Sequence, residues 1–161
     1  MTASLPIKPF FSSVFLILAL SLSLPAQSPA QSQRETPKET ALRDALKSIS
    51  PSAVEPFKAG TEAMDKEDWA LAITEFRKVL VKAPTFEAAQ RRLGISLVES
   101  GQVDEGKPML EQLVVAHRSP ENLAALAQAV GLPRNGQKVS QADQERALEL
   151  ASDADRLSVD N

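Results

Sequence analysis

The residues around Gly60 recur around Gly94 at one constant offset. Ala59 returns as Leu93, Ala63 as Leu97, Trp69 as Val103 and Phe76 as Leu110. Val79 returns as Leu113, Leu80 as Val114, and the small Ala72 as the small Gly106. A period of about 34 residues with matched size and polarity is the signature of a two-helix unit, which buries its apolar face only by stacking on a neighbour. Such a unit builds a surface rather than a reaction centre, so the repeat points towards binding.

Composition agrees with a helical chain. The apolar fraction is 43%, aromatics are 4% and there is no Tyr. Ala and Leu supply most of the apolar residues and both favour helix, whereas no run of alternating β-branched and aromatic residues marks a strand. The net charge of −3 leaves no electrostatic footprint for nucleic acid. The absence of Cys excludes disulfides, thiolate metal sites and thiol catalysis. The single His117 argues against His-based metal binding and a Ser-His-Asp arrangement, so neither a metal nor a cofactor is expected.

Residues 1–30 have the pattern of a secretory signal peptide. Lys8 supplies the positive end, Phe10 to Leu24 form the apolar stretch, and small-residue cleavage sites end at Ala26 and at Ala30. Ala26 is favoured, being nearer the apolar stretch. The competing reading is a retained membrane anchor, but a spanning helix needs about 20 apolar residues, more than this segment offers. Cleavage at Ala30 leaves 17 basic and 21 acidic residues, a net charge of −4. We expect an exported protein, periplasmic or secreted, with residues 31–36 as a disordered linker.

Helices are then punctuated by caps and prolines. Thr36-Pro37-Lys38-Glu39 starts a flanking helix over residues 37–50, with Leu42, Leu46 and Ile49 on one face. A helix from Ser52 to Asp65, with Ser52 and Glu55 as a capping box, pairs with one from Asp68 to Ala83, stopped by Pro84. A second pair spans Thr85 or Phe86 to Ser100 and Asp104 to Arg118, with Asp104 as cap, Pro108 near the first turn and Gly101 in the turn. Ser119 and Ser140 open two further helices, separated by the breaker run Gly131 to Gly136. The second is expected to line one face with Ala147, Leu150, Ala151, Ala154 and Leu157, and the tail 158–161 to fray.

These residues resemble the tetratricopeptide repeat. Ala59-Gly60 and Leu93-Gly94 match the family's small residue at the helix crossing, Ala72 and Gly106 the small residue on the partner helix, and Pro84 the closing proline. Trp69 stands at the large apolar turn position, Phe76 at the aromatic position, and Gly101 where Gly is common. Departures are Pro56 and Gln90 at the first large aromatic position, and Arg118 in place of the second closing proline, which is displaced to Pro120. The resemblance implies an all-α fold, a short right-handed superhelical array of antiparallel helix pairs. It divides the chain into a first repeat over 53–86, a second over 87–120, and a degenerate third pair or C-terminal cap over 121–157. Trp69 is expected as a buried core wedge.

The resemblance also implies a concave groove lined by the first helix of each pair. The matching positions are Phe57, Thr61, Met64 and Asp65, then Arg91, Ile95, Val98 and Glu99. This mixed stripe suits an extended peptide or a partner helix; the bland alternative is that the same residues pack on neighbouring helices. Phe57 and Thr61 replace the Lys and Asn with which the carboxylate-gripping subclass begins. No enzyme motif is present. Asp65, Glu67 and Asp68 lack the ligand pattern of a calcium loop and read as turn and cap carboxylates. Arg91-Arg92 reads as a solvated pair, because adjacent helical residues do not share a face. The expected function is therefore a non-enzymatic scaffold binding a protein or peptide in the periplasm or envelope. The alternatives are a self-associating structural component and a protein anchored by residues 10–24.

Overall fold

Caps and breakers in the sequence fix most helix ends. In the computed structural model the described residues are 36–133 and 138–159, and all of their regular structure is helical. They lie in one of two compact units, Arg34–Asn161; the expected signal peptide lies outside the described residues. Helix α1 spans Pro37–Ile49, α2 Val54–Asp65, α3 Trp69–Lys82, α4 Glu87–Glu99, α5 Val103–Ala116, α6 Pro120–Gly131 and α7 Gln141–Val159. Among the described residues no helix is long and apolar enough to cross a membrane.

The side chains of Thr36, Asp68, Ser119 and Ser140 each accept a hydrogen bond from the backbone N–H three residues on, the geometry expected of N-caps. Two expected caps differ. Residues Pro51–Ala53 form a short 3-10 turn, so α2 starts at Val54 without a side-chain cap and Ser52 lies before it. Helix α5 starts at Val103 behind Gln102, which places Asp104 inside its first turn and Pro108 inside the helix. The missing Pro108 N–H would have reached the Asp104 carbonyl, and Asp104 is exposed, so water can serve that oxygen. The expected frayed tail is also shortened, since α7 continues through Ser158 to Val159.

Successive helices pack in sequence: α2 on α3, α4 on α5, and α6 on α7, with α3 against α4 and α5 against α6. The echo in the sequence carries through to burial. Ala63 and Leu97, Ala72 and Gly106, Phe76 and Leu110, and Val79 and Leu113 are all buried. The crossings recur too. A Cβ on Gly60 would stand 2.9 Å from the Phe76 ring, and one on Gly94 would stand 2.7 Å from the Leu110 side chain. The second crossing is closed from its other side by Gly106, whose Cβ would meet the Gly94 carbonyl oxygen at 2.7 Å. The change from Ala72 to Gly106 therefore coincides with backbone-to-backbone contact. After Gly131 the register is lost: Leu148, one repeat period beyond the buried Val114, is 72% exposed. Helix α7 instead buries Ala154, with Ala147, Leu150 and Leu157 half-buried, while Ala151 faces out.

Two apolar expectations change. Trp69 is half-buried at the start of α3 and lies outside both buried clusters, so it is not the core wedge. Phe57 fills that role: it is fully buried and meets Phe76 and Phe86 edge-to-face at centroid distances of 6.0 and 5.4 Å. Ile49, expected on the buried stripe of α1, is 59% exposed.

The interhelix turns repeat as well. Glu67 has φ of 57°, and Gly101, its counterpart one period later, has φ of 86°. A left-handed backbone costs an L-residue about 1–2 kcal/mol and costs glycine little. Glu67→Gly is expected to raise stability by about 0.5–1 kcal/mol after the added chain entropy of glycine is subtracted. Gly106→Ala is expected to lower it by about 1–3 kcal/mol, because the opposing atom is backbone and has no rotamer by which to withdraw. Chemical denaturation of both variants checks the two signs.

Candidate functional site

One face of the molecule is built from α2, α4 and α6, the first helix of each pair. Adjacent residues on a helix point about 100° apart, so Arg91 and Arg92 on α4 reach different neighbours. Neither is solvated: their side chains are 14% and 12% exposed, which corrects the expectation of a solvated pair.

Arg92 points towards α2 and α1. Its guanidinium carbon lies 4.6 Å from the centre of the Phe57 ring, within cation–π range. One nitrogen donates to the Thr61 hydroxyl at 2.5 Å, and Thr61 in turn donates to the Phe57 carbonyl at 2.8 Å. The guanidinium also donates to both oxygens of Glu39 on α1, at 3.0 and 2.5 Å. This is the two-point geometry that makes Arg–carboxylate pairs strong and directional. Glu39 is buried at the start of α1, so both its oxygens are engaged by a residue three helices further along the chain.

Arg91 points towards α6. It donates to Asn122 Oδ1 at 2.8 Å and lies 3.5 Å from Glu87 Oε1. Asn122 is fully buried. Its Nδ2 donates to Glu87 at 2.9 Å and to the His117 carbonyl at 2.7 Å, while its backbone N–H donates to Ser119 Oγ. Every polar atom of that amide side chain is thus partnered, which a buried amide requires. Burial pulls the Arg91 guanidinium below its ordinary value; Glu121 and Glu87 push it back up, and Arg92 adds a smaller downward push. Arginine remains charged throughout.

A third ion pair joins α1 to α6: Lys38 Nζ donates to Glu121 Oε1 at 2.5 Å. Helix α1 therefore begins beside α6, has Glu39 on α4, and ends at the 3-10 turn that leads into α2. It crosses the face that the three first helices form.

This geometry redistributes the expected groove residues. Phe57, Thr61 and Val98 are buried, so their side chains hold the fold rather than line an open surface. Arg91 is tied into the Asn122 network. Met64 is half-buried against the first core cluster and Ile95 against the second. Asp65 lies exposed at the end of α2, and Glu99, at the end of α4, accepts from Gln128 Nε2 on α6 at 2.7 Å. The C-terminal ends of these helices thus carry the open part of the face. The residues that sequence reasoning missed are Lys38, Glu39, Glu87, Glu121 and Asn122, and it reads Arg92 as solvated. Their signal was a charged or polar residue on an otherwise inward-facing helix, and it is readable only once the neighbouring helix is placed.

Other candidate chemistry resolves simply. Asp68 is a cap, and Glu67 is an exposed turn residue. Exposed His117 ends α5, where its backbone N–H donates to the Leu113 carbonyl at 2.8 Å. Among the described residues no group of three or more His, Cys, Asp or Glu side chains is placed to hold a metal ion. A cleft of about 310 Å³ lies beside Leu80, Gln90, Met109 and His117, at the bottom of the size range of ligand pockets. No protein-family model, curated protein or solved structure matches the chain.

The tie between α1 and α6 has a pH signature. The Glu121 carboxyl lies below its ordinary range, chiefly through the hydrogen bond from Lys38, then through its own backbone N–H, and against a smaller upward push from burial. A carboxyl depressed in the folded state contributes stability that is fully present above its unfolded pKa, about 4.3, and lost as pH falls through the lower folded value. The Glu121 side chain is 39% exposed, so solvent screening keeps the effect modest. Wild type is expected to melt above Glu121→Gln at about pH 7, with the gap narrowing as the pH falls below about 4; melting curves on either side of that pH check it.

Proposed function

We propose that this protein is an exported, non-enzymatic scaffold of tetratricopeptide-like helix pairs that binds a protein or peptide on the face formed by α2, α4 and α6, in the bacterial periplasm or envelope. The observation that carries the reading is the recurrence of crossing and turn at one period. Gly60 against Phe76 returns as Gly94 against Leu110, and the left-handed Glu67 returns as the left-handed Gly101. A unit repeated with its crossing intact is what a stacked array requires, and stacked arrays present extended surfaces rather than enclosed reaction centres. The open stretch at Met64, Asp65, Ile95 and Glu99 combines apolar stems with carboxylates, which suits a partner with apolar and basic side chains.

A second reading, self-association, is favoured by a different face. Val81 on α3 and Val115 on α5 are 82% and 88% exposed, and they occupy the same position of successive repeats. A second copy would cover such a ladder.

The test is a photo-crosslinking residue placed at Glu99 or at Val115 in the full chain, expressed in its native host. We expect a discrete heterologous adduct from position 99. Adducts confined to position 115 and matching a dimer in mass would move the assignment to self-association. The N-terminal residue of the recovered protein, read by intact mass, reports the expected cleavage in the same sample.

A further inference from the structure

Arg92 is organised by groups that do not belong to α1. The Phe57 ring lies under its guanidinium and the Thr61 hydroxyl fixes one of its nitrogens, so the fork is aimed outward by α2 and α4 themselves. Glu39 is the carboxylate it receives. Helix α1 also supplies Leu46, which is fully buried in the first core cluster. Glu39 and Leu46 are its buried residues, Leu42 is half-buried against the first cluster, and Lys38 reaches Glu121. The second core cluster contains no α1 residue. Ser50 leaves α1 with extended backbone (φ −152°, ψ 98°) and Pro51 opens the next turn, so α1 is joined to α2 through a break rather than a continuous helix.

We propose that α1 is a displaceable ligand carried within the chain, and that the face it covers binds an amphipathic helix of a partner protein bearing an acidic residue in its first turn and leucines three and seven positions on. Glu39, Leu42 and Leu46 display that pattern on the site. The acid takes the two-point bond from Arg92; the leucines follow one helical face into the first cluster. The tether gives α1 a high effective concentration, so an entering helix succeeds by adding contacts that α1 lacks. The exposed Ile49 marks one position where a better-fitting helix gains buried area. This inference rests on the binding-scaffold reading and names the class of partner for the same face.

The experiment uses a fluorescent synthetic peptide of residues 36–50 of this chain as the probe, with full-length wild type, Glu39→Lys and Lys38→Glu as receptors. Each variant sets like charges against its former partner and loosens α1. The peptide is expected to bind both variants at least about tenfold more tightly than wild type, and a peptide carrying Glu39→Lys is expected not to bind. Equal binding to all three receptors, or binding to none, would overturn the proposal. So would loss of cooperative melting in both variants, since the remaining helices would then not hold their fold with α1 undocked. A wild-type dimer by light scattering that exchanges α1 between copies would assign the site to a second copy instead. Peptide failure with the adduct from position 99 retained would remove the displaceable helix and leave the scaffold reading standing.

Discussion

Where α4 crosses α5, the Gly94 carbonyl lies so close to Gly106 that a Cβ on the latter would sit 2.7 Å from it. The rest of the arrangement depends on that approach. It brings Leu110 over Gly94 and sets Val98 and Leu97 against the same helix. The rotation of α4 then follows, and with it the directions of Arg91 and Arg92. Interiors close-packed to this degree tolerate few alternatives, so a contact without side chains orients side chains elsewhere on the helix.

The two arginines illustrate how one helix serves two interfaces. Arg92 closes the seam with α2 and α1, and Arg91 the seam with α6. Each charge is taken out of water, which is costly unless it is paired and hydrogen-bonded. Glu39 and Thr61 supply partners on one side; Glu87 and Asn122 supply them on the other. The fully buried Asn122 also reaches the His117 carbonyl at the end of α5, so a single amide ties three elements. Exposed pairs such as Arg77–Glu105 and Arg146–Glu111 contribute far less in water.

Helix α1 is strapped across the face formed by α2, α4 and α6, so only part of that face is open. Its N-terminal half is already occupied by α1, and its C-terminal half at Met64, Asp65, Ile95 and Glu99 is open. Phe57 lies beneath the occupied half, under Arg92, and contributes about 1.5–3 kcal/mol by burial alone. It therefore supports Arg92 from below and presents no surface of its own. The exposed Val81 and Val115 lie on α3 and α5, the second helices of their pairs, and belong to a separate question of assembly.

The sequence by itself determined that the chain is helical, where most helices begin, and that two pairs share one plan. Those features are local. Thr36, Asp68, Ser119 and Ser140 bond to the backbone three residues on, and the repeat period is written in residue size. The start of α5 escaped because Asp104 has the chemistry of a cap while the chain begins the helix at Val103 without one. Only the tertiary structure decided which apolar residues are core and which charges are site. Trp69 and Ile49 have core chemistry and lie outside the core, whereas Glu39, Arg92 and Asn122 have surface chemistry and are withdrawn from solvent. The reason is that a polar side chain is buried when a distant element supplies its complement. Glu39 and Arg92 belong to helices far apart in the chain, beyond the reach of any spacing rule, and the pair between them, α2 and α3, closes where Gly60 meets the Phe76 ring.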